Sequence, residues 1–162
     1  MPQRSVVAVG ASLLVASLAL AGCGSRSDDT EGTDTGSAEN KVAKIGVIAP
    51  LSGDLAALGK GIQNSVDLAI RQANEAKTIP GWTLELAAED DQATPDVGKN
   101  AATKLAADKD VVGVVGTLNS SVAQSVQPVL AAANIVQVSP ANTNPSLTQG
   151  ADFATAPKRA NP

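Results

Sequence analysis

The sequence predicts an α/β fold: an open parallel sheet with helices on both faces. Two observations carry this. Four short apolar runs rich in Val, Ile, Leu and Ala alternate with three stretches whose apolar residues recur at helical spacing. Each strand-like run also ends in small polar or turn-forming residues, the composition of strand-to-helix loops. Elements in the order β-α-β-α-β-α-β make right-handed parallel crossovers.

Ile45-Gly46-Val47-Ile48-Ala49 is the first strand, bounded by Pro50 and Ser52-Gly53. Ile62, Val66, Ala69, Ile70 and Ala73 form the apolar stripe of a helix over about 57–76. Pro80-Gly81 breaks the chain, and Trp82 to Ala88 is a second strand ending at Glu89-Asp90-Asp91. Thr94-Pro95 has the layout of an N-cap followed by Pro at the first helical position, with Val97, Ala101, Leu105 and Ala106 on the helix face. Val111 to Val115 is the third strand. After the turn at 116–119, Ser120 or Ser121 is placed to cap a third helix that aligns Val122, Val126, Val129 and Ala133. Ile135 to Val138 is the fourth strand, followed by the turn-rich loop 139–145.

Composition excludes several chemistries. The 162 residues contain one Cys, one Trp, one Phe, no Tyr and no His. Without His there is no Ser-His or Cys-His nucleophile pair and no His-ligated zinc. One Cys forms no internal disulfide or Cys-rich metal site. A net charge of -4 and two aromatic residues do not suit nucleic acid. Gly59-Lys60-Gly61 lacks the P-loop spacing, and no GxGxxG follows the first strand. Ser120 sits on a strand-to-helix turn without GxSxG flanks. Glu89-Asp90-Asp91 has the oxygen chemistry of a hard-cation site, but a strand end that caps the next loop and faces solvent is the expected role. Trp82 is expected to pack at its strand start. Neither a catalytic centre, a metal nor a cofactor is expected.

The first forty residues have a different character. Residues 1–22 have a basic start at Arg4, an uncharged apolar run from Val6 to Ala21, and small residues at its end, the layout of a secretory signal. Leu20-Ala21-Gly22-Cys23 resembles the bacterial lipobox, which makes Cys23 the expected site of lipidation and the first residue of a mature, membrane-anchored chain. Residues 24–40 hold Asp28, Asp29, Glu31, Asp34 and Glu39 against Arg26 and no large apolar side chain. Such a segment cannot offset its ordering entropy by burial and reads as an acidic tether. Residues 41–162 are then the folded part, close to neutral.

In open parallel sheets, ligands bind outside the carboxyl ends of the strands at a switch in strand order. Those ends are Leu51-Ser52-Gly53, Asp90-Asp91, residues 117–121 and residues 139–143. If the first strand lies between the second and third, the loops after strands one and three flank the crevice. Their small hydroxyls and free helix-start N–H groups suit a carboxylate.

The lipobox, KIGVIAPLSG, GKGIQNSVDLAIRQAN, EDDQATP and VVGVVGTLNSSVAQSVQPVLAAANIVQVSPANTNPSLT together resemble the branched-chain amino acid (Leu/Ile/Val) binding lipoproteins of ABC importers, over residues 44–156. The resemblance implies a Rossmann-like, type I periplasmic-binding-protein fold whose two lobes close over an amino acid outside the cell membrane and present it to a permease. It implies that Ser120 holds the ligand carboxylate, that the Ala141 carbonyl meets the ammonium group, and that Thr143 offers hydroxyl and N–H to the ligand backbone. Leu118 and Asn119 lie beside the same pocket. Leu58 stands where members of the family often carry an aromatic side chain, which alters the pocket's shape. The resemblance further implies an incomplete N-terminal lobe, since a two-lobe protein needs over twice this length, with an unpaired far sheet edge and a product with reduced or absent activity. A ligand sensor of the same fold, signalling to a receptor partner, is the alternative function.

Overall fold

The computed structural model describes residues 40–150. The expected signal sequence, Cys23, the expected tether up to residue 39 and residues 151–162 lie outside the described residues. The elements are β1 (Lys41–Ala49), α1 (Ala56–Glu75), β2 (Trp82–Asp90), α2 (Pro95–Ala107), β3 (Val111–Gly116), α3 (Ser120–Ala132), β4 (Val136–Val138) and α4 (Ser146–Gln149). The sheet has the order β2-β1-β3-β4 with every pair parallel. The expected α/β architecture is therefore present, with β1 between β2 and β3.

Right-handed crossovers place α1 on one face and α2 and α3 on the other. β1 is covered on both: Val47, Ile48 and Ala49 are all fully buried. Ile48 joins Ala101, Ala102 and Leu105 of α2, Val111 and Val114 of β3, and Val122, Val126 and Leu130 of α3 in one core. Each large aliphatic side chain buried there contributes about 1.5–3 kcal/mol. Gly98 lets α2 pass close to α3, because a Cβ there would lie 2.3 Å from Val122 Cγ1.

Four local details differ from the sequence expectation. β4 begins at Val136, because the Ile135 N–H turns back to the Leu130 carbonyl (2.9 Å) and its side chain packs against the core. The loop after β4 closes into the short helix α4, which buries Leu147. Thr94 occupies the N-cap position with Pro95 at the first helical position, but its hydroxyl donates to the Gln92 carbonyl (3.1 Å) instead of capping α2. Trp82 does not pack inside. It is 41 % exposed at the first position of edge strand β2, where its ring meets the Lys41 ammonium at 5.4 Å. At the other edge, Val136 and Val138 of β4 are more than half exposed, as is Val112 at the start of neighbouring β3, and among the described residues β4 pairs only with β3.

Candidate ligand site at the carboxyl edge of the sheet

The strand order brings the carboxyl ends of β1 and β3 side by side, with the switch in strand order between them. Each connection at this edge is fixed by a different device. After β1, Gly59 seats α1 on the chain: a Cβ there would lie 1.9 Å from the Pro50 carbonyl oxygen. Leu58, in the same first turn, is 58 % exposed. Asp90, at the end of β2, holds this loop from across the strand. Its Oδ1 accepts the Leu51 N–H (2.8 Å) and the Gln92 N–H (2.9 Å), and its Oδ2 accepts the Ser52 hydroxyl (2.5 Å). Partial burial opposes ionisation of Asp90. The Ser52 hydroxyl and the backbone N–H groups of Gln92, Leu51 and Ser52 outweigh it and hold the carboxyl below its ordinary range.

Asp91 corrects the expectation for the acidic cluster. It does not face solvent: the residue is fully buried, its Oδ1 accepts the Ala93 N–H (2.8 Å), and its Oδ2 has no partner. Burial pushes its carboxyl upward against the pull of that N–H, and neighbouring Asp90 adds to the rise. The capping half of the expectation holds for Asp90, which closes the turn after β2. Among the described residues, no group of three or more His, Cys, Asp or Glu side chains is placed to hold a metal ion.

After β3, Gly116 adopts φ 146° and lies against β1, where a Cβ would sit 2.1 Å from the Ile48 carbonyl oxygen. No other residue fits both conditions. The Gly116–Thr117 peptide is cis. Thr117 is buried and donates its hydroxyl to the Asn119 carbonyl (2.8 Å). Asn119, and not Ser120 or Ser121, is the N-cap residue of α3, and no side chain caps the helix. Its carbonyl receives the Ala123 N–H at 3.1 Å. The N–H groups of residues 120–122 precede that bond and have no partner within the helix.

The Ser120 hydroxyl instead joins two loops. Its Oγ accepts the N–H groups of Thr143 (3.3 Å) and Asn144 (3.4 Å) from the connection after β4. A hydroxyl has two lone pairs and one proton. With both lone pairs so engaged, the Ser120 proton is left to donate outward. Asn142 adds a second tie, its Nδ2 donating to the Leu118 carbonyl (3.2 Å). Gln137 adds a third, its Nε2 reaching the Gly116 carbonyl (2.8 Å). The Ser139 hydroxyl shapes the loop itself by accepting the N–H groups of Ala141 (3.3 Å) and Asn142 (2.9 Å).

The structure thus joins Ser120 directly to Thr143, and Leu118 to Asn142 of the same loop, with Ala141 exposed in that loop. The Thr143 N–H, expected to face a ligand, is turned to Ser120. Asn119 has its amide Oδ1 buried without a partner. Leu58 shares the edge from the neighbouring connection after β1, with no hydrogen bond to the Ser120 cluster. The sequence reading missed Asp90, Gln137 and Asn142 as the residues that tie these loops. The acidic strand end was the one signal available for Asp90; nothing in the sequence marked the two amides. Chemically, the edge offers a hydroxyl proton, free helix-start N–H groups and small polar neighbours. That is an acceptor-seeking surface matched to an anion such as a carboxylate. A further concavity of about 400 Å³ is lined by Gln127, Leu130, Ala131, Asn134, Ile135, Val136 and Gln137, and carries no charged group.

Comparison with known proteins gives the same fold. The periplasmic binding protein family profile matches residues 42–161. The Leu/Ile/Val-binding protein BraC3 of Rhizobium johnstonii is 38% identical over 105 residues, which is 65% of this chain and 28% of that protein. The branched-chain amino acid transporter substrate binding protein LivJ from Streptococcus pneumoniae, solved in complex with isoleucine, superposes with TM-score 0.63 at 30% identity, covering 70% of this chain and 32% of that one. A solute binding protein of an ABC transporter from Rhodopseudomonas palustris, solved with 3,4-dihydroxy benzoic acid, gives TM-score 0.60 at 28% identity, over 67% of this chain and 30% of that one. The chain spans less than a third of the length of each of these proteins.

Proposed function

This chain belongs to the periplasmic binding protein family, and from that premise we propose that it carries the carboxylate-gripping lobe of an extracytoplasmic solute-binding protein that delivers a branched-chain amino acid to an ABC permease. The observation that carries the reading is the bridge between the loops after β3 and β4. Ser120 Oγ takes two N–H groups and keeps its proton for a ligand, beside the uncapped start of α3. In this reading the ligand carboxylate accepts from Ser120 and from the N–H groups at the start of α3, each charge-assisted bond contributing about 1.5–3 kcal/mol. The Ala141 carbonyl accepts from the ammonium group. The Thr143 hydroxyl reaches the ligand backbone, and its N–H exchanges Ser120 for the ligand. Leu58 lines the side-chain end without an aromatic ring. Cys23 carries the lipid that holds the protein at the outer face of the membrane.

The relatives include proteins with an aliphatic amino acid and with an aromatic acid bound. Their shared ligand group is a carboxylate, which is what the Ser120 edge suits. The test is titration of the isotope-labelled chain with L-leucine, L-isoleucine, L-valine and 3,4-dihydroxybenzoate at millimolar concentration, followed by amide NMR. The proposal expects shifts confined to residues 57–59, 118–123 and 139–144, larger for the three amino acids. Shifts elsewhere, or none with any of the four, contradict it.

A further inference from the structure

Exposed apolar side chains gather where the chain enters the fold. Ile79-Pro80-Gly81-Trp82 is a tight turn closed by the Trp82 N–H on the Ile79 carbonyl (3.2 Å), with Gly81 at φ 77°. Its two ends, Ile79 and Trp82, are 46 % and 41 % exposed. The incoming chain is stitched to this turn at once. The Lys41 N–H donates to the Gly81 carbonyl (3.0 Å), and the Lys41 ammonium lies 5.4 Å from the centre of the Trp82 ring. Val42 follows, 36 % exposed. Lys77, two residues before Ile79, is exposed and has no carboxylate partner among the described residues. Asp108 and Asp110 are engaged by Lys44 at 2.8 and 3.5 Å, and the acids closest to the turn along the chain are the exposed Glu75 and Glu85.

We propose that this turn is a membrane-interface contact: Ile79 and Trp82 enter the headgroup layer, with Lys41 and Lys77 over lipid phosphates. The proposal rests on the reading of Cys23 as a lipid anchor. What selects a lipid surface is the position of the patch. The segment that runs from Cys23 enters the fold at Lys41, hydrogen-bonded to this turn. An indole with an apolar body and a polar N–H, flanked by long basic side chains, is the composition that settles at a bilayer interface. The contact also orients the lobe. β1 has nine residues, so its carboxyl end lies about 26 Å from its start. The Ser120 edge then faces away from the bilayer, open to solute.

Trp82 is the only tryptophan and the chain has no tyrosine, so intrinsic fluorescence reports on this turn alone. The lipid-modified chain is reconstituted into phosphatidylcholine–phosphatidylglycerol vesicles. The expected result is quenching of Trp82 by nitroxide lipid labelled near the headgroup, with aqueous iodide quenching reduced roughly twofold or more relative to an Ile79→Ser, Lys41→Gln variant. That variant changes exposed side chains and floats with vesicles like the parent. If the chain floats with the vesicles but Trp82 stays open to iodide and untouched by nitroxide, the contact is refuted and the anchor stands. If Trp82 is shielded from iodide without nitroxide quenching, a protein surface covers it, and the lipid proposal is wrong. If the chain does not float, the anchor reading fails and the contact falls with it.

Discussion

Asp90→Ala is the substitution whose cost follows most directly from the structure. It removes the acceptor for three donors: the Leu51 N–H, the Ser52 hydroxyl and the Gln92 N–H. The Ser52 and Gln92 contacts are exposed, so water replaces most of what they contribute, leaving about 0.5 kcal/mol each. The Leu51 contact is partly buried, and an N–H left there without an acceptor costs about 1–2 kcal/mol. The expected destabilisation is about 2–3 kcal/mol. Asp90→Asn keeps Oδ1 for both N–H groups and can turn its own N–H to Ser52, so it loses only the charge, about 1 kcal/mol. The folded pKa of Asp90 lies below the ordinary 3.8. Its contribution is therefore fully present above that unfolded value and lost as pH falls through the folded one. Urea unfolding followed by circular dichroism at neutral and acid pH measures both effects. An Ala variant within about 0.5 kcal/mol of the parent at neutral pH refutes the loop-anchoring role. So does a gap between parent and Asn variant that widens in acid.

Asp91 has the opposite sign. Its folded pKa is raised, so its contribution is whole below the ordinary 3.8 and is lost as pH climbs through the folded value. Asp91→Asn is expected to match or exceed the parent's stability at neutral pH and to fall behind it in acid, read from the same unfolding series. Gly98→Ala places a methyl 2.3 Å from Val122 Cγ1 at the α2–α3 crossing and is expected to cost about 1–3 kcal/mol, seen as a lower Tm. Leu58→Phe, at an exposed position, is expected to leave stability within about 0.5 kcal/mol while changing the ranking of leucine, isoleucine and valine in a binding titration. An unchanged ranking removes Leu58 from the ligand's surroundings.

The architecture was legible because it is written locally. The Ile45–Ala49 run, the helical stripes through Ile62 and Val122, and Pro95 at a helix start are each set by neighbours in sequence. The strand order was legible only as a condition, and the structure satisfies it. What stayed hidden depends on partners far along the chain. Asp90 and Asp91 are adjacent carboxylates of similar intrinsic pKa. One meets Leu51 and Ser52, 39 and 38 residues away, while the other is enclosed beneath α2. No local pattern separates them. Trp82 was misjudged because a lone aromatic residue at a strand start is usually covered, whereas edge strand β2 leaves its ring to Lys41. Ser120 was singled out by its place after β3. That its hydroxyl would accept two N–H groups from the following loop required the fold itself.

The central claim is that the Ser120 hydroxyl and the start of α3 hold a carboxylate. It is tested most directly by comparing L-leucine with leucinamide, which keeps the side chain and ammonium but lacks the carboxylate, on the parent chain and on Ser120→Ala. The account predicts that leucine shifts the amides of residues 120–123 and leucinamide does not. It also predicts that Ser120→Ala weakens leucine binding about tenfold or more, the equivalent of one charge-assisted bond. Leucinamide binding as well as leucine, or Ser120→Ala binding leucine like the parent, would contradict it.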